Sequence, residues 1–237
     1  GTQSSLKSGR LAISKRFSNI ARQNWGKEIG RRLFARAHKE VGNQIRFFVS
    51  GGSALGAELY EDFQALGLPI YEGYGLTETA PVLTVNPLGE SRKGSAGKPL
   101  PGVELQIFRP DEHGVGEVIV QTSSLMREYY RNPKATNAVI RDGWFHTGDL
   151  GRLDAEGYLY ITGRIKDVIV TGAGKNVYPA DLEAIYQTLP GVAEVCILGI
   201  KSGLTEDVHA IFAPLQNGPD QDLLATKKAI QREIQQL

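Results

Sequence analysis

Residues 46–75 read RFFVSGGSALGAELYEDFQALGLPIYEGYG, and this stretch decides the fold. The apolar run over 44–50 has the composition of a strand and ends at a glycine pair. Apolar residues then recur at helical spacing over 57–66, and Gly67 is typical of a helix C-terminus. A second strand is predicted from residue 68. This order predicts a right-handed βαβ unit in a parallel sheet, where ligands bind at the carboxyl ends of the strands.

The pattern changes twice further along the chain. From Gly94 to Gly163, short apolar runs alternate with turns, which predicts a small β-barrel or sandwich with strands over 103–108, 117–121 and 158–162. After Arg164 the pattern predicts a compact α+β unit. Its expected elements are a strand at 168–170, a helix over 179–188, paired strands over 192–200 and 208–214, and a final helix over 223–237. The predicted fold class is therefore α/β followed by α+β.

The composition is that of an ordinary globular protein, with 41% of the 237 residues hydrophobic and 22% charged. The single cysteine, Cys196, lies in an apolar run and is predicted to be a small buried side chain. Residues 1–50 carry 11 Lys and Arg but two acids, and apolar residues alternate with them as on an amphipathic helix over 13–41. We interpret this charge as a solvated helix face and expect no nucleic-acid partner.

The sequence contains no apolar run of the roughly 18–20 residues that a membrane-spanning helix needs, and the polar N-terminus does not resemble a signal peptide. We therefore expect a cytoplasmic protein. A peripheral contact with the inner face of the membrane and the oligomeric state are left open.

Residues 71–79, YEGYGLTET, carry the strongest chemical signal. A ring flanked by glycines can lie flat against a purine, so Tyr74 is a candidate adenine-binding residue. Gly75 would let the backbone approach a phosphate, Thr77 could donate a hydrogen bond to it, and Glu78 could hold Mg²⁺. The alternative, a tight turn with a core tyrosine, explains the neighbouring hydroxyl and carboxylate groups poorly.

Residues 74–79 resemble the adenylate motif of the acyl-adenylate-forming superfamily, which includes acyl-CoA synthetases, luciferases and peptide-synthetase adenylation domains. Further segments resemble the other core motifs of this superfamily in the same order: 51–55 (adenine-binding loop), 94–102, 143–151 (ribose-binding motif) and 163–167 (interdomain hinge). Residues 169–179, with 46–52 and 71–74, are similar to the long-chain fatty acyl-CoA synthetase branch.

The resemblance implies a role for each matching residue in the binding of ATP or AMP. Tyr74 would stack on adenine, Thr77 would contact the α-phosphate beside Gly75, and Glu78 would coordinate Mg²⁺. The adenine-binding loop over 51–55 would contribute Gly51, Gly52 and Ser53 to the site. Nothing assigns a role to His146, which is expected to be a packed loop histidine.

The later motifs imply the remaining roles. Asp149 would accept both ribose hydroxyls, because a carboxylate offers two acceptor oxygens. Arg164 would reach the ribose or a phosphate, and Lys166 would be the hinge about which a small domain rotates. Gly172 and Gly174 would approach the pantetheine arm of CoA.

The resemblance implies an ATP-dependent acid–thiol ligase that converts a long-chain fatty acid to acyl-AMP and transfers the acyl group to CoA. Transfer to acyl carrier protein and a non-catalytic nucleotide-binding homologue stay open as alternatives. The superfamily's phosphate loop and its C-terminal catalytic lysine do not occur in these 237 residues. We therefore interpret the chain as a fragment that is inactive alone, with residues 1–164 as the end of a large AMP-binding domain and 165–237 as a truncated mobile domain.

Overall fold

A computed structural model describes residues 30–203, 205–215 and 231 of the chain. Most of the helix predicted over 13–41, and nearly all of the helix predicted over 223–237, lie outside these residues. The chain forms two units. Among the described residues, the first contains 30–105, 120–145 and 153–160, and the second contains 106–119, 146–152, 161–203, 205–215 and 231. The predicted domain boundary after residue 164 stays a prediction.

The first described elements of this unit are two short helices, α1 (Gly30–Leu33) and α2 (Ala35–Glu40), and the predicted βαβ unit follows them. Strand β1 (Phe48–Ser50), helix α3 (Ala57–Ala65) and strand β2 (Ile70–Tyr74) are its elements. β1 and β2 pair in parallel with Phe48 opposite Ile70, so the predicted parallel pairing is confirmed. β1 is shorter than the run predicted over 44–50.

A four-stranded sheet, ordered β1-β2-β3-β4, is built on this pair by β3 (Thr84–Val85) and β4 (Lys98–Pro99). Both added strands are antiparallel to their neighbours, and Tyr74 lies opposite Thr84. Two 3₁₀ turns of the chain matter for the site described below: Thr77–Thr79 follows β2, and Ile165–Asp167 comes later in the chain.

A five-stranded sheet follows, with the order β5-β6-β8-β7 and with β9 paired to β8. Its strands and the helix between them are β5 (Val103–Phe108), β6 (Gly116–Thr122), α4 (Pro133–Val139), β7 (Ile140–Arg141), β8 (Trp144–Leu153) and β9 (Leu159–Arg164). The predicted strands over 103–108, 117–121 and 158–162 are confirmed. β8 was not expected, and it corrects the prediction for His146, which lies buried on this strand and not in a loop.

The second unit ends in an α+β arrangement, as predicted. A hairpin of β10 (Ile169–Val170) and β11 (Asn176–Val177) precedes helix α5 (Pro179–Tyr186) and the antiparallel pair β12 (Val192–Ser202) and β13 (Thr205–Pro214). A small core forms around Leu189 and Val192. These elements and the two sheets confirm the predicted fold class.

The prediction of a buried Cys196 is wrong, because its side chain is exposed. Successive side chains of a strand point to opposite faces. The next residue of β12, Ile197, is buried at 5% exposure, so Cys196 takes the outer face. Within the described residues, no helix has the length and apolar character needed to cross a membrane.

Candidate active site

The predicted adenylate motif forms the turn that leaves β2. Tyr74 is the last residue of the strand, and the 3₁₀ turn Thr77–Thr79 follows it. The Thr79 hydroxyl closes this turn, since its Oγ1 donates to the Leu76 carbonyl at 2.9 Å and accepts from the Leu76 N–H at 3.2 Å. Thr79 is completely buried, whereas Thr77 is exposed. The two threonines thus have separate tasks, and the exposed one is suited to contact a ligand.

Glu78 is half-buried and is held by a residue that the sequence did not indicate. Its Oε1 accepts a hydrogen bond of 2.8 Å from the Tyr129 hydroxyl, and its backbone carbonyl accepts one of 2.7 Å from Met126 N–H. Burial, followed by the hydrogen bond to Glu78, raises the pKa of Tyr129 above its ordinary value of 10.0. Tyr129 stays protonated at neutral pH and orients the carboxylate. Only the aromatic pair Tyr129-Tyr130 in a polar segment could have signalled it.

Gly75 has a packing requirement of its own. A Cβ atom built on this residue would lie 1.8 Å from the carbonyl oxygen of Pro81 and 2.9 Å from the nitrogen of Leu83. The absence of a side chain therefore lets the chain after the 3₁₀ turn return beside β2. Its predicted approach to a phosphate stays a prediction beside this packing role.

The predicted adenine-binding loop follows β1, next to β2 in the same unit. Gly52 has a φ of 89°, in the left-handed region that favours glycine, and Gly51 and Ser53 are exposed. Glu72 of β2 secures the end of this loop, because its Oε1 accepts a hydrogen bond of 2.9 Å from Leu55 N–H. The structure thus places the loop beside the strand that leads into the adenylate motif.

Asp149 and Arg164, which were predicted to bind one nucleotide, are brought together in the second unit. Nε of Arg164 lies 2.8 Å from Oδ1 of Asp149. The carboxylate is mostly buried, at 11% exposure, while the guanidinium side chain is 57% exposed. The carboxylate can accept hydrogen bonds from hydroxyl groups, and the exposed guanidinium beside it can attract a phosphate.

Thr147 holds the backbone of Asp149 in place. Its Oγ1 donates to the carbonyl oxygen of Val118 at 2.7 Å and accepts from Asp149 N–H at 3.0 Å. Val118 belongs to β6 and is fully buried, so the position of Asp149 is tied to the interior of the five-stranded sheet.

The remaining predicted residues lie on exposed turns of the second unit. Lys166 is the middle residue of the 3₁₀ turn after β9, and its side chain is exposed. Gly172 and Gly174 lie in the turn between β10 and β11, where Gly174 has a φ of 73°. Thr171 closes this turn through its Oγ1, which donates to Lys175 O at 3.1 Å and accepts from Lys175 N–H. Their roles in rotation and in CoA binding stay predictions.

The donor set fits a magnesium ion that is shared with a substrate. Among the described residues, no three His, Cys, Asp or Glu side chains cluster as they would in an all-protein metal site. Mg²⁺ is usually held by one or two carboxylates together with substrate phosphates and water. Glu78, with one oxygen oriented by Tyr129, provides such a carboxylate next to the exposed Thr77.

Comparisons with known proteins identify the family of this chain. A family model described as AMP-binding enzyme matches residues 19–130. The chain therefore belongs to the acyl-adenylate-forming superfamily of AMP-binding enzymes. It is 41% identical over 169 residues to the long-chain-fatty-acid–CoA ligase FadD15 of Mycobacterium bovis, which covers 71% of this chain and 27% of that protein.

Two further proteins are similar to this chain over a comparable part of its length. The 2-succinylbenzoate–CoA ligase of Geobacillus kaustophilus is 37% identical over 189 residues, 77% of this chain and 38% of that protein. The crystal structure of ATP-bound MatB from Rhodopseudomonas palustris superposes with a TM-score of 0.71 at 32% identity, over 85% of this chain and 43% of that one. The chain thus spans about a quarter to two-fifths of the length of these curated relatives.

Proposed function

We propose that this chain belongs to an ATP-dependent acid–CoA ligase that activates a long-chain fatty acid. In the first step the fatty-acid carboxylate attacks the α-phosphorus of ATP, so an acyl–phosphate bond forms and pyrophosphate leaves. In the second step the CoA thiol attacks the acyl carbon, and AMP leaves. The relative named a long-chain-fatty-acid–CoA ligase supports the fatty acid as substrate, and the relatives named for succinylbenzoate and indoleacetate define the competing acids.

The observation that carries the proposal is the Asp149–Arg164 pair. Asp149 is buried and held through its backbone, so its orientation does not have to be established when a nucleotide arrives. The two oxygens of its carboxylate suit the neighbouring hydroxyls of a ribose. Arg164 offsets the negative charge of the carboxylate and presents further N–H donors to a phosphate.

The residues of the first unit would bind adenine, phosphate and the metal ion. Tyr74 offers a ring at the end of β2, and the exposed Thr77 can donate a hydrogen bond to the α-phosphate. Glu78 would hold Mg²⁺, which when bound offsets negative charge on the phosphates during attack. Tyr129 keeps the Glu78 carboxylate oriented for this task.

An assay of the full-length protein with ATP, Mg²⁺, CoA and one carboxylic acid at a time tests the proposal. We expect pyrophosphate release and acyl-CoA formation with long-chain fatty acids, and much slower reaction with succinylbenzoate and indoleacetate. Faster reaction with an aromatic acid would contradict the fatty-acid substrate. Acyl transfer to acyl carrier protein in preference to CoA would contradict the acceptor.

The Asp149→Ala variant of the full-length protein tests the site itself. It removes charge-assisted hydrogen bonds to two hydroxyls, each worth about 1.5–3 kcal/mol. We expect the affinity for AMP, measured by calorimetry, to fall by at least tenfold, which corresponds to about 1.4 kcal/mol. The Asp207→Ala variant, which changes an exposed aspartate on β13, is the matched control and should leave the affinity unchanged. Unchanged affinity in Asp149→Ala would remove Asp149 from the ribose site.

A further inference from the structure

Glu117 lies on β6 and contacts the segment of β8 that carries Asp149. Its Oε2 is 2.7 Å from Nδ1 of His146, and its Oε1 accepts a hydrogen bond of 3.1 Å from Gly148 N–H. The Glu117 and His146 side chains are only 15% and 9% exposed. A carboxylate oxygen and an imidazole nitrogen at this distance form a hydrogen bond. Glu117 thus holds both residues that flank Thr147.

The backbone conformation of Gly148 explains why β8 needs the contacts with Glu117. Its φ is 72°, a left-handed conformation in the middle of a ten-residue strand. A Cβ atom at this position would meet nothing within 4 Å, so glycine serves the backbone conformation and not a close contact. Irregularities of this kind in strands re-aim neighbouring side chains and recur beside active sites. The next residue after this irregularity is Asp149.

The surroundings of Glu117 and His146 keep the contact in place. The His146 ring packs edge-on against Phe108, with 5.2 Å between ring centroids. Val118, the residue after Glu117, accepts the hydrogen bond from Thr147 that orders the backbone of Asp149. Two consecutive residues of β6 therefore hold three consecutive residues of β8.

We propose that Glu117 is a positioning residue for nucleotide recognition. Its carboxylate stabilises the left-handed conformation of Gly148 and fixes His146, and the carboxylate of Asp149 is thereby kept in the orientation in which it pairs with Arg164. This inference rests on the proposed ribose-binding role of Asp149. It assigns to Glu117 no contact with substrate.

A double-mutant cycle in the full-length protein tests this role, with AMP affinity measured by calorimetry and folding by thermal unfolding. Glu117→Ala should weaken AMP binding by about 10- to 100-fold, by analogy with the loss found when residues that orient metal ligands through hydrogen bonds are mutated. In the Asp149→Ala background the same change should weaken binding by less than about twofold, because the group it positions is gone. Glu117→Gln keeps an oxygen for Gly148 N–H and should restore affinity to within about threefold of wild type.

Each outcome of the cycle is decisive. An equal loss of affinity from Glu117→Ala with and without Asp149 would show that Glu117 acts by another route, and the inference would be wrong. Unchanged affinity in Glu117→Ala would also overturn it. If Asp149→Ala itself binds AMP normally, the proposed ribose site fails, and the inference fails with it; this result is distinct from the previous two.

Two further variants complete the design. Glu117→Asp keeps the charge but is too short to reach both partners, so it replaces Glu117→Ala in the cycle if the alanine variant does not fold. Glu104→Ala removes an exposed glutamate from the neighbouring strand β5 and is the matched control. It should change neither AMP affinity nor the unfolding temperature by a measurable amount.

Discussion

Two acidic residues of the same segment, Glu72 and Glu78, lie in very different surroundings. Glu78 is half-buried and accepts a hydrogen bond from Tyr129, which suits a carboxylate that meets a cation. Glu72 is buried at 7% exposure, and within the part of the chain that the structure describes its Oε2 has no hydrogen-bond partner. Burial raises the pKa of Glu72 above its ordinary value of 4.5, because the charged form loses its hydration. The two residues are of the same type, so the contrast lies in their burial and in the groups around them.

The raised pKa of Glu72 predicts how stability depends on pH. The folded state holds this proton more tightly than the unfolded state, so the stabilising contribution is complete below about pH 4.5 and is lost as the pH rises through the folded-state pKa. Glu72→Gln cannot ionise but keeps an acceptor for Leu55 N–H. We expect the free energy of unfolding of this variant, measured by urea denaturation, to increase relative to that of wild type as the pH rises from 4.5 to 7. A difference that is constant across this pH range would contradict the prediction.

Two strands carry candidate site residues at irregular points. β2 ends at Tyr74 and passes directly into a 3₁₀ turn, and β8 contains a left-handed glycine just before Asp149. In a regular strand, the side chains of Tyr74 and Asp149 would point to the face set by the alternation of successive residues. Hydrogen bonds stabilise both departures: the Thr79 hydroxyl donates to the Leu76 carbonyl in the first case, and Glu117 accepts from Gly148 N–H in the second. The regular elements thus provide a fixed frame, and the irregular points set the direction of these two side chains.

Gly75 offers a test of this arrangement at the level of the element. Gly75→Ala would force a Cβ into the Pro81 carbonyl, a backbone atom that cannot turn away. We expect a loss of about 3 kcal/mol or more in the free energy of unfolding, at the upper end of the cost of overpacking. Gly56→Ala is the control, because a Cβ there meets nothing within 4 Å and its φ is −56°. Chemical denaturation should show a loss below about 1 kcal/mol for the control. Equal losses would mean that crowding beside Pro81 does not explain Gly75.

At the scale of the whole molecule, the predicted residues fall into two sets, one in each unit. Tyr74, Thr77 and Glu78 belong to the first unit, and Asp149 and Arg164 to the second. The rotation of a small domain about Lys166 stays a prediction.

Lys166→Pro in the full-length protein tests that movement. Proline fixes φ near −65° and disfavours the helical conformation at Ile165, which lies in the 3₁₀ turn. A domain rotation needs free φ and ψ angles at a few residues between elements. We expect adenylation, measured as ATP–pyrophosphate exchange, to stay within about threefold of wild type while thioester formation falls by about 100-fold or more. Lys166→Ala is the control and should spare both steps.

The two half-reactions separate the explanations of a Lys166→Pro result. Equal losses in adenylation and thioester formation would indicate misfolding and contradict a hinge. Normal thioester formation would remove Lys166 as the hinge.

The sequence by itself determined the βαβ unit, most of the later strands and the residues that match the adenylate-forming motifs. These features depend on local patterns: apolar spacing, the glycine after α3, and short motifs whose residues are close in the chain. The parallel pairing of β1 and β2 followed from the same pattern because a helix connects them. Local patterns therefore sufficed for the fold class and for the candidate residues.

Only the tertiary structure decided which residues support those candidates. Tyr129 orients Glu78 across 51 positions of sequence, and Glu117 holds His146 across 29. The strand β8 and the exposure of Cys196 were missed for a related reason, since both depend on which neighbours cover each face of a sheet. Partners of this kind are set by strand order, and strand order is decided by the packing of the whole sheet and not by any local stretch of residues.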